Sequence, residues 1–215
     1  MSIGLIEQLA AGQAPNLVPL TVEQFHRMIE LGILEEGDPI ELVEGLLLRK
    51  DRATGTEEKG GVAHSARHAA AIARLVRIEC HLDPAGCHLR IQLPLALSPI
   101  SEPEPDAAIV AGSLETFTDR HPGPTDVRVV IEASDSSLAY DRITKQRVYA
   151  SAGIPAYLIV NLAEDQVEYF EEPIPDQGRY HRRTDFRYGE TLTLPVGAGI
   201  SLTLAVVDVL GPSLR

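Results

Sequence analysis

The chain has only two cysteines, no tryptophan and no long apolar run. Cys80 and Cys87 are too few for a disulfide framework, and a single pair of thiols is a poor zinc site. A helix that spans a bilayer needs about 20 apolar residues in succession. Residues 1–20 also lack the basic start and the apolar core of a secretory signal. We therefore expect reduced thiols, no membrane segment and a cytoplasmic protein.

Basic residues are scarce as well. The chain has 19 lysines and arginines against 31 aspartates and glutamates, which gives a formal net charge of −12. Proteins that bind nucleic acid usually present a basic face to the phosphates, so this balance argues against tight, unaided DNA binding. It does not exclude DNA, because a local patch of charge counts for more than the total and some acids could neutralise a divalent metal.

The length of 215 residues and the hydrophobic content of 44% predict one domain. We expect residues 1–17 to form an N-terminal arm and residues 18–215 to form the domain. Thr21 and Gln24 have the spacing of a capping box, which predicts a helix over 21–31. Further helices are predicted over 64–81 and 138–152. The predicted strands cover 40–48 as a strand pair or bent strand with Gly45 at its break, 89–97 with an interruption at Pro94, and 107–110, 127–133, 154–162 and 166–171. A loop is predicted over 51–61 and a strand-rich tail over 178–210.

The strand–helix–strand unit at 127–162 determines the expected topology. A crossover of this kind joins two parallel strands, whereas the segments around it have the spacing of hairpins. The sequence thus predicts an α/β (α+β) fold with a mixed central β-sheet flanked by helices.

Two acids occur where strands should be buried. Asp106 follows Pro105 and directly precedes the apolar run 107–110, and Glu132 lies inside the run 127–133. A buried carboxylate is costly unless it is paired or holds a metal. Neighbouring strands lie about 4.8 Å apart, so the two side chains could share one Mg²⁺ or Mn²⁺, which prefer oxygen ligands. The alternatives are that Asp106 is a turn residue and that Glu132 caps the next helix or pairs with an arginine.

The helix after Glu132 carries a candidate cation. Asp141, Lys145 and Tyr149 recur every four residues and define one helix face. The ammonium of Lys145 could reach the two acids, orient a water molecule and offset charge on a phosphate. The alternative is a solvated lysine paired with Asp141, an interaction worth under about 1 kcal/mol.

The remaining candidates are less specific. Glu41 and Glu44 are three residues apart and cannot both face the same side of a strand, so one could join the metal while the other faces solvent. His64 and His68 are four apart but lack the His-Glu-x-x-His pattern of a zinc site, and His68 could instead point into the acidic cleft. The serines near the predicted helix start are expected to act as caps: Ser134, Ser136 and Ser137.

Four stretches resemble the Uma-two type of restriction endonuclease, a branch of the PD-(D/E)XK nuclease superfamily. They lie at 40–45, 92–106, 130–137 and 140–157, in consistent order within about residues 18–205. The resemblance implies a restriction-endonuclease-like fold in which Asp106, Glu132 and Glu41 bind the metal. It also implies that Lys145 is a lysine moved from the strand to the helix, with Ser134 in the vacated place. His68 matches a recurrent helix position.

Three functional hypotheses follow. The first is an endonuclease that uses Mg²⁺ or Mn²⁺ to activate water and hydrolyse DNA phosphodiesters, with a homodimer expected if both strands are cut. The second is a catalytically silent descendant of the nuclease fold that serves as a binding or assembly module, which the acidic charge and the absence of lysine at position 134 favour. The third is a metal-dependent hydrolase of a small substrate, which the lack of an evident basic track keeps open.

Overall fold

A computed structural model describes residues 17–50, 65–197 and 199–212. Residues 1–16 of the predicted arm, the predicted loop 51–61 and His64 lie outside the described residues. The two cysteines are described, and both are free, with Cys80 exposed and Cys87 buried. Within the described ranges no helix is long and apolar enough to cross a membrane.

A six-stranded sheet forms the centre of the molecule, and its strands follow one another in chain order. The pairing of β5 with β6 is parallel and every other pairing in this sheet is antiparallel, so the predicted mixed sheet is confirmed. The strands are β3 Cys87–Ile91, β4 Ala107–Ala111, β5 Val127–Ser134, β6 Ala156–Asn161, β7 Gln166–Ile174 and β8 Arg179–Phe186.

Helices and two small hairpins cover the sheet. The hairpins pair β1 Ile40–Val43 with β2 Leu46–Arg49 and β9 Thr191–Gly197 with β10 Ile200–Ala205. The helices are α1 Val22–Glu30, α2 Ala66–Leu75 with a 3₁₀ extension Val76–His81, a composite helix α3, and α4 Val206–Leu210. Helix α3 comprises an α-helical turn Leu138–Tyr140, a π-helical turn Asp141–Lys145 and an α-helical segment Gln146–Ser151.

The sheet has a hydrophobic core on each face. Helix α2, helix α4 and the β9–β10 hairpin pack on one face, where Leu75 and Ile131 are fully buried. Helix α3 packs on the other face, where Tyr149 is fully buried with Val130. Because side chains alternate along a strand, Glu132 of β5 faces the helix α3 side.

Local sequence explains two of the element boundaries. The hydroxyl of Thr21 accepts the backbone N–H of Gln24, and the side chain of Gln24 accepts the backbone N–H of Thr21, so the capping box is confirmed. Glu44 and Gly45 join β1 to β2 with φ of 50° and 79°, the left-handed backbone that a two-residue hairpin turn requires.

Two predicted elements were wrong in part. The strand predicted over 89–97 ends at Ile91, because Gln92 has φ of 51° and Pro94 has no N–H to continue the ladder. The helix predicted over 138–152 is interrupted by the π-helical turn. The hydroxyl of Tyr157 donates to the carbonyl of Asp141 at 3.1 Å, and a side chain inserted at a helical carbonyl is a known cause of such interruptions.

Candidate active site

Asp106 and Glu132 lie together where the β4–β5 ladder ends. The last pair of the ladder joins Ala107 to Ile131, so the two acids are the next residues on neighbouring strands. The backbone N–H of Asp106 donates to Oε2 of Glu132 at 3.1 Å, and Oδ2 of Asp106 accepts the N–H of Ala133 at 2.9 Å. At this edge the two carboxylates therefore accept backbone N–H groups in place of backbone carbonyls.

Lys145 reaches this edge from helix α3. Its ammonium donates to Oε2 of Glu41 at 2.8 Å and lies 3.2 Å from Oε1 of Glu132. The hydroxyl of Tyr149, one α-helical turn further on, donates to the same Oε1 at 2.7 Å. Lys145 is 4% exposed and Glu132 is 6% exposed, so the alternative of a solvated lysine paired with Asp141 does not hold.

The charges in this site do not balance. Four carboxyl groups stand near one lysine: those of Glu41, Asp106, Glu132 and Asp141. Burial raises the pKa of Glu132, the charge of Lys145 opposes this shift and the negative charge of Asp106 adds to it, so that the pKa lies at about 8. Burial alone would lower the pKa of Lys145, but the charges of Glu132 and Glu41 outweigh it and raise that pKa. An additional cation would offset the excess negative charge.

His68 approaches Asp106 from helix α2, on the opposite face of the sheet from Lys145. Nδ1 of His68 lies 2.9 Å from the carbonyl of Ala133, and because a carbonyl only accepts, Nδ1 carries the hydrogen. Nε2 then lies 3.3 Å from Oδ1 of Asp106. The amide of Gln92 also donates to that oxygen at 3.3 Å. Burial raises the pKa of Asp106, but the hydrogen bond and charge of His68, with the N–H of Ala133, lower it below its usual value.

The serines before helix α3 do not act as predicted. The hydroxyls of Ser134 and Ser137 donate to Oδ2 of Asp141 at 2.5 and 2.6 Å, and no side-chain cap is formed at Ser137. Ser134 is fully buried, while Ser136 is exposed. Burial raises the pKa of Asp141, and the two hydroxyls partly counter the shift. The expectation of caps is corrected, because the hydroxyls of Ser134 and Ser137 bind the buried carboxylate of Asp141 and not the backbone N–H groups of the helix.

Glu41 and Glu44 face opposite sides, as their spacing predicts. Glu41 is 4% exposed, whereas Glu44 is at the surface and forms an ion pair with Arg147. Oε2 of Glu41 accepts from Lys145 and from the backbone N–H of Glu104 at 3.1 Å. Glu41 thus faces the lysine. In the part of the chain that is described, Glu41, Asp106 and Glu132 do not bring their donor oxygens all within 4.8 Å of one another.

A family model described as "Putative restriction endonuclease", Uma2, matches residues 22–206. The chain belongs to the Uma2 family. The matched range contains all five residues singled out from the sequence: Glu41, Asp106, Glu132, Lys145 and His68. A search of curated proteins found no match for this Uma2 chain.

A solved structure has the same fold as this Uma2 protein. It is described as the crystal structure of "a putative nuclease belonging to DUF820 from Anabaena variabilis ATCC 29413". The two chains are 16% identical and superpose with a TM-score of 0.61, over 89% of this chain and 98% of the other. At this identity the likeness concerns the fold, and it agrees with the mixed sheet and flanking helices described above.

Sequence reasoning missed several contacts of this Uma2 site. It placed Tyr149 on the correct helix face but did not predict its hydrogen bond to Glu132. It also did not predict the ion pair between Glu41 and Lys145. These pairs are distant in the chain, and no local spacing indicates which of several acids a buried lysine will contact. The two buried tyrosines, Tyr149 and Tyr157, are the available signal, because a buried tyrosine hydroxyl usually finds a partner.

Proposed function

We propose that this Uma2 protein is a divalent-metal-dependent DNA endonuclease. The observation that carries the proposal is the joint position of Asp106 and Glu132 at the end of one ladder, with the ammonium of Lys145 3.2 Å from Glu132. Membership of a family described as restriction endonucleases supports the reaction class.

The residues present fit Mg²⁺ or Mn²⁺. Asp106 and Glu132 offer hard oxygen donors, which these ions prefer, and the acids outnumber the cations in a buried site. When bound, such an ion supplies Lewis-acid stabilisation of a phosphate oxygen and lowers the pKa of a water molecule. Asp106 and Glu132 would hold it. Oε2 of Glu41 accepts from Lys145, so we assign to Glu41 the positioning of that lysine, while its Oε1 is a further oxygen donor for the ion.

The protein's own groups would act around the phosphate. Lys145 is kept charged by Glu41 and Glu132, so it offers a fixed positive charge beside the acids where negative charge accumulates on the phosphate. His68 holds Asp106 from the other face of the sheet and favours its charged form. Tyr149 fixes one oxygen of Glu132. These three residues reach the carboxylates from helices α3 and α2 on opposite faces of the sheet, which orients both carboxylates before substrate arrives.

The test is nicking of supercoiled plasmid by the purified full-length protein with Mg²⁺ or Mn²⁺. We expect cleavage that chelator abolishes and that Asp106→Asn and Glu132→Gln each reduce by at least about 100-fold. Glu44→Gln is the matched control, because Glu44 is an exposed acid paired with Arg147, and it should cleave like the unaltered protein. Cleavage that survives both Asp106→Asn and Glu132→Gln would remove these residues from the mechanism.

The second candidate is a catalytically silent binding or assembly module. It is favoured by the formal net charge of −12 and by the engagement of Lys145 with two glutamates. Under this hypothesis the folded protein binds no Mn²⁺ in a calorimetric titration and nicks no DNA.

If the protein is an endonuclease that cuts both strands, a homodimer is expected, and sedimentation of the same preparation measures its oligomeric state.

A further inference from the structure

Three potential metal ligands meet outside the candidate active site. They are His26 of α1, Glu102 of the segment before β4, and His121 of the loop between β4 and β5, and we call them the His–Glu–His cluster. One donor atom from each lies within 4.8 Å of the other two. The three residues belong to distant parts of the chain, so their convergence is a property of the fold.

The geometry of the cluster is partly fixed and partly adjustable. Nε2 of His26 lies 2.6 Å from Oε1 of Glu102, and the rings of His26 and His121 meet edge to face with centroids 6.2 Å apart. Glu102 is 3% exposed, and its backbone N–H donates to the carbonyl of Leu42 at 2.8 Å. The side chain of His26 is 43% exposed and His121 is half-buried, so solvent reaches the cluster from the histidine side.

The donor set selects the class of ion. Two imidazole nitrogens and one carboxylate oxygen suit Zn²⁺ and related transition metals, whereas Mg²⁺ prefers oxygen alone. Arg90, a buried cation that interacts electrostatically with His121, opposes any metal ion. The negative charge of Glu102 opposes that repulsion, and the imidazole nitrogens supply the preference for Zn²⁺.

The spacing requires only small side-chain movements. Tetrahedral ligands bound at about 2.0–2.1 Å stand about 3.3 Å apart. The present contact of 2.6 Å between His26 and Glu102 would lengthen, and no two donor atoms of the cluster are more than 4.8 Å apart. Rotation of the exposed His26 ring can accomplish the first change without moving the backbone.

We propose that His26, Glu102 and His121 bind one Zn²⁺-type ion, separate from the candidate active site. Its consequence concerns Asp106, which follows Glu102 through Pro103-Glu104-Pro105. Proline restricts the backbone, so a metal that holds Glu102 also holds the start of β4. The ion would join α1 and the β4–β5 loop to the segment that leads into Asp106, and it would stabilise the fold there.

The proposal is tested by metal binding alone, without DNA. The full-length protein is titrated with Zn²⁺ by calorimetry and with Co²⁺ by visible absorption, and a Zn²⁺-soaked crystal is measured at the zinc edge. We expect an anomalous peak between His26, Glu102 and His121, a raised melting temperature with Zn²⁺, and loss of both in His26→Gln/His121→Gln. The matched control is His181→Gln, an exposed histidine on β8, which should retain them.

Two further variants separate this site from the proposed nuclease. Asp106→Asn/Glu132→Gln should keep the Zn²⁺ peak and the rise in melting temperature while losing Mn²⁺-dependent cleavage. His26→Gln alone alters an exposed side chain, and a circular dichroism spectrum checks that it folds. The proposal is overturned if the folded protein binds no Zn²⁺, if the double histidine variant binds it equally well, or if the peak lies elsewhere.

Discussion

Lys145 and Glu41, 104 positions apart in the chain, form a buried ion pair in which Nζ donates to Oε2 at 2.8 Å. Both side chains are almost fully buried, so neither can be satisfied by water. A buried charge without a partner is far more costly than a neutral side chain in the same place. The free energy of unfolding therefore depends on the charge states of Lys145 and Glu41 in the candidate active site.

Replacing Lys145 by methionine should destabilise the protein by about 3–5 kcal/mol, because it leaves the buried carboxylate of Glu41 without its cation. The free energy of unfolding in urea measures this change. Cleavage of plasmid should fall as well, since the charge beside Glu132 is lost.

A second variant distinguishes the ion pair from simple packing. Lys145→Met/Glu41→Gln removes the stranded charge of Glu41, so it should recover a large part of the lost stability without recovering cleavage. If the double variant is no more stable than Lys145→Met, the loss comes from packing and not from unpaired charge.

The raised pKa of Glu132 predicts a specific dependence of stability on pH. Between its ordinary value of 4.5 and about 8, the folded metal-free protein holds a proton that the unfolded chain has released. Stability from this group is therefore complete below 4.5 and declines as pH rises through 8, by at most about 1.4 kcal/mol per pH unit. Urea unfolding across this interval should show the decline in the unaltered protein and a flatter profile in Glu132→Gln.

The same proton affects metal affinity. If Mn²⁺ binds the carboxylate of Glu132 as proposed, binding must displace the proton below about pH 8. Affinity measured by calorimetry should rise with pH over this range, with proton release that depends on the buffer. An affinity independent of pH would show that Glu132 is already ionised in the folded protein.

His68 should control the acid side of the activity profile. Its hydrogen bond and charge help hold the pKa of Asp106 below the usual range. In His68→Ala that pKa rises, so the acid limb of the cleavage–pH profile should move to higher pH while activity on the alkaline side changes less. His68→Gln, which can still donate to Asp106, should move the limb by a smaller amount. An unmoved limb in His68→Ala would contradict this role.

Ser134→Ala tests the hydrogen bond to Asp141. Ser134 is fully buried and donates to Oδ2 at 2.5 Å, so its removal leaves the buried carboxylate with one hydroxyl donor. We expect a loss of about 1–2 kcal/mol in the free energy of unfolding. Ser136→Ala, at an exposed serine two positions on, is the control and should change stability by no more than about 0.5 kcal/mol. Equal effects in the two variants would refute the assignment.

The mixed sheet and its parallel pair of strands could be predicted from the sequence because the signals are local. The apolar runs around Ile109 and Ile131 identify buried strands, and the crossover after Glu132 fixes which strands are parallel. The end of β3 was predicted incorrectly, because the positive φ of Gln92 is imposed by the surrounding fold and not by a residue type that favours it. The sequence likewise contains no sign of the π-helical turn.

The convergence of the candidate residues could be predicted from the sequence, but their individual contacts could not. Asp106, Glu132 and Lys145 come together as their positions in strands and helix suggest. Which acid Lys145 would contact depended on where β1 lies against helix α3, and that follows from packing between distant segments. The convergence of His26 with His121 has the same origin, since neither residue belongs to a spaced pair.

Because of the π-helical turn Asp141–Lys145, the number of residues in this segment matters to the site as much as their identity. Such a turn accommodates one residue more than an α-helical turn, and each residue of an α-helix rotates the chain by about 100°. Deleting one residue here would restore a regular helix and turn Asp141 away from Ser134, because Tyr149 is anchored against Tyr157 with ring centroids 5.0 Å apart. Insertions and deletions in this segment should therefore be tolerated far less than substitutions at its exposed positions.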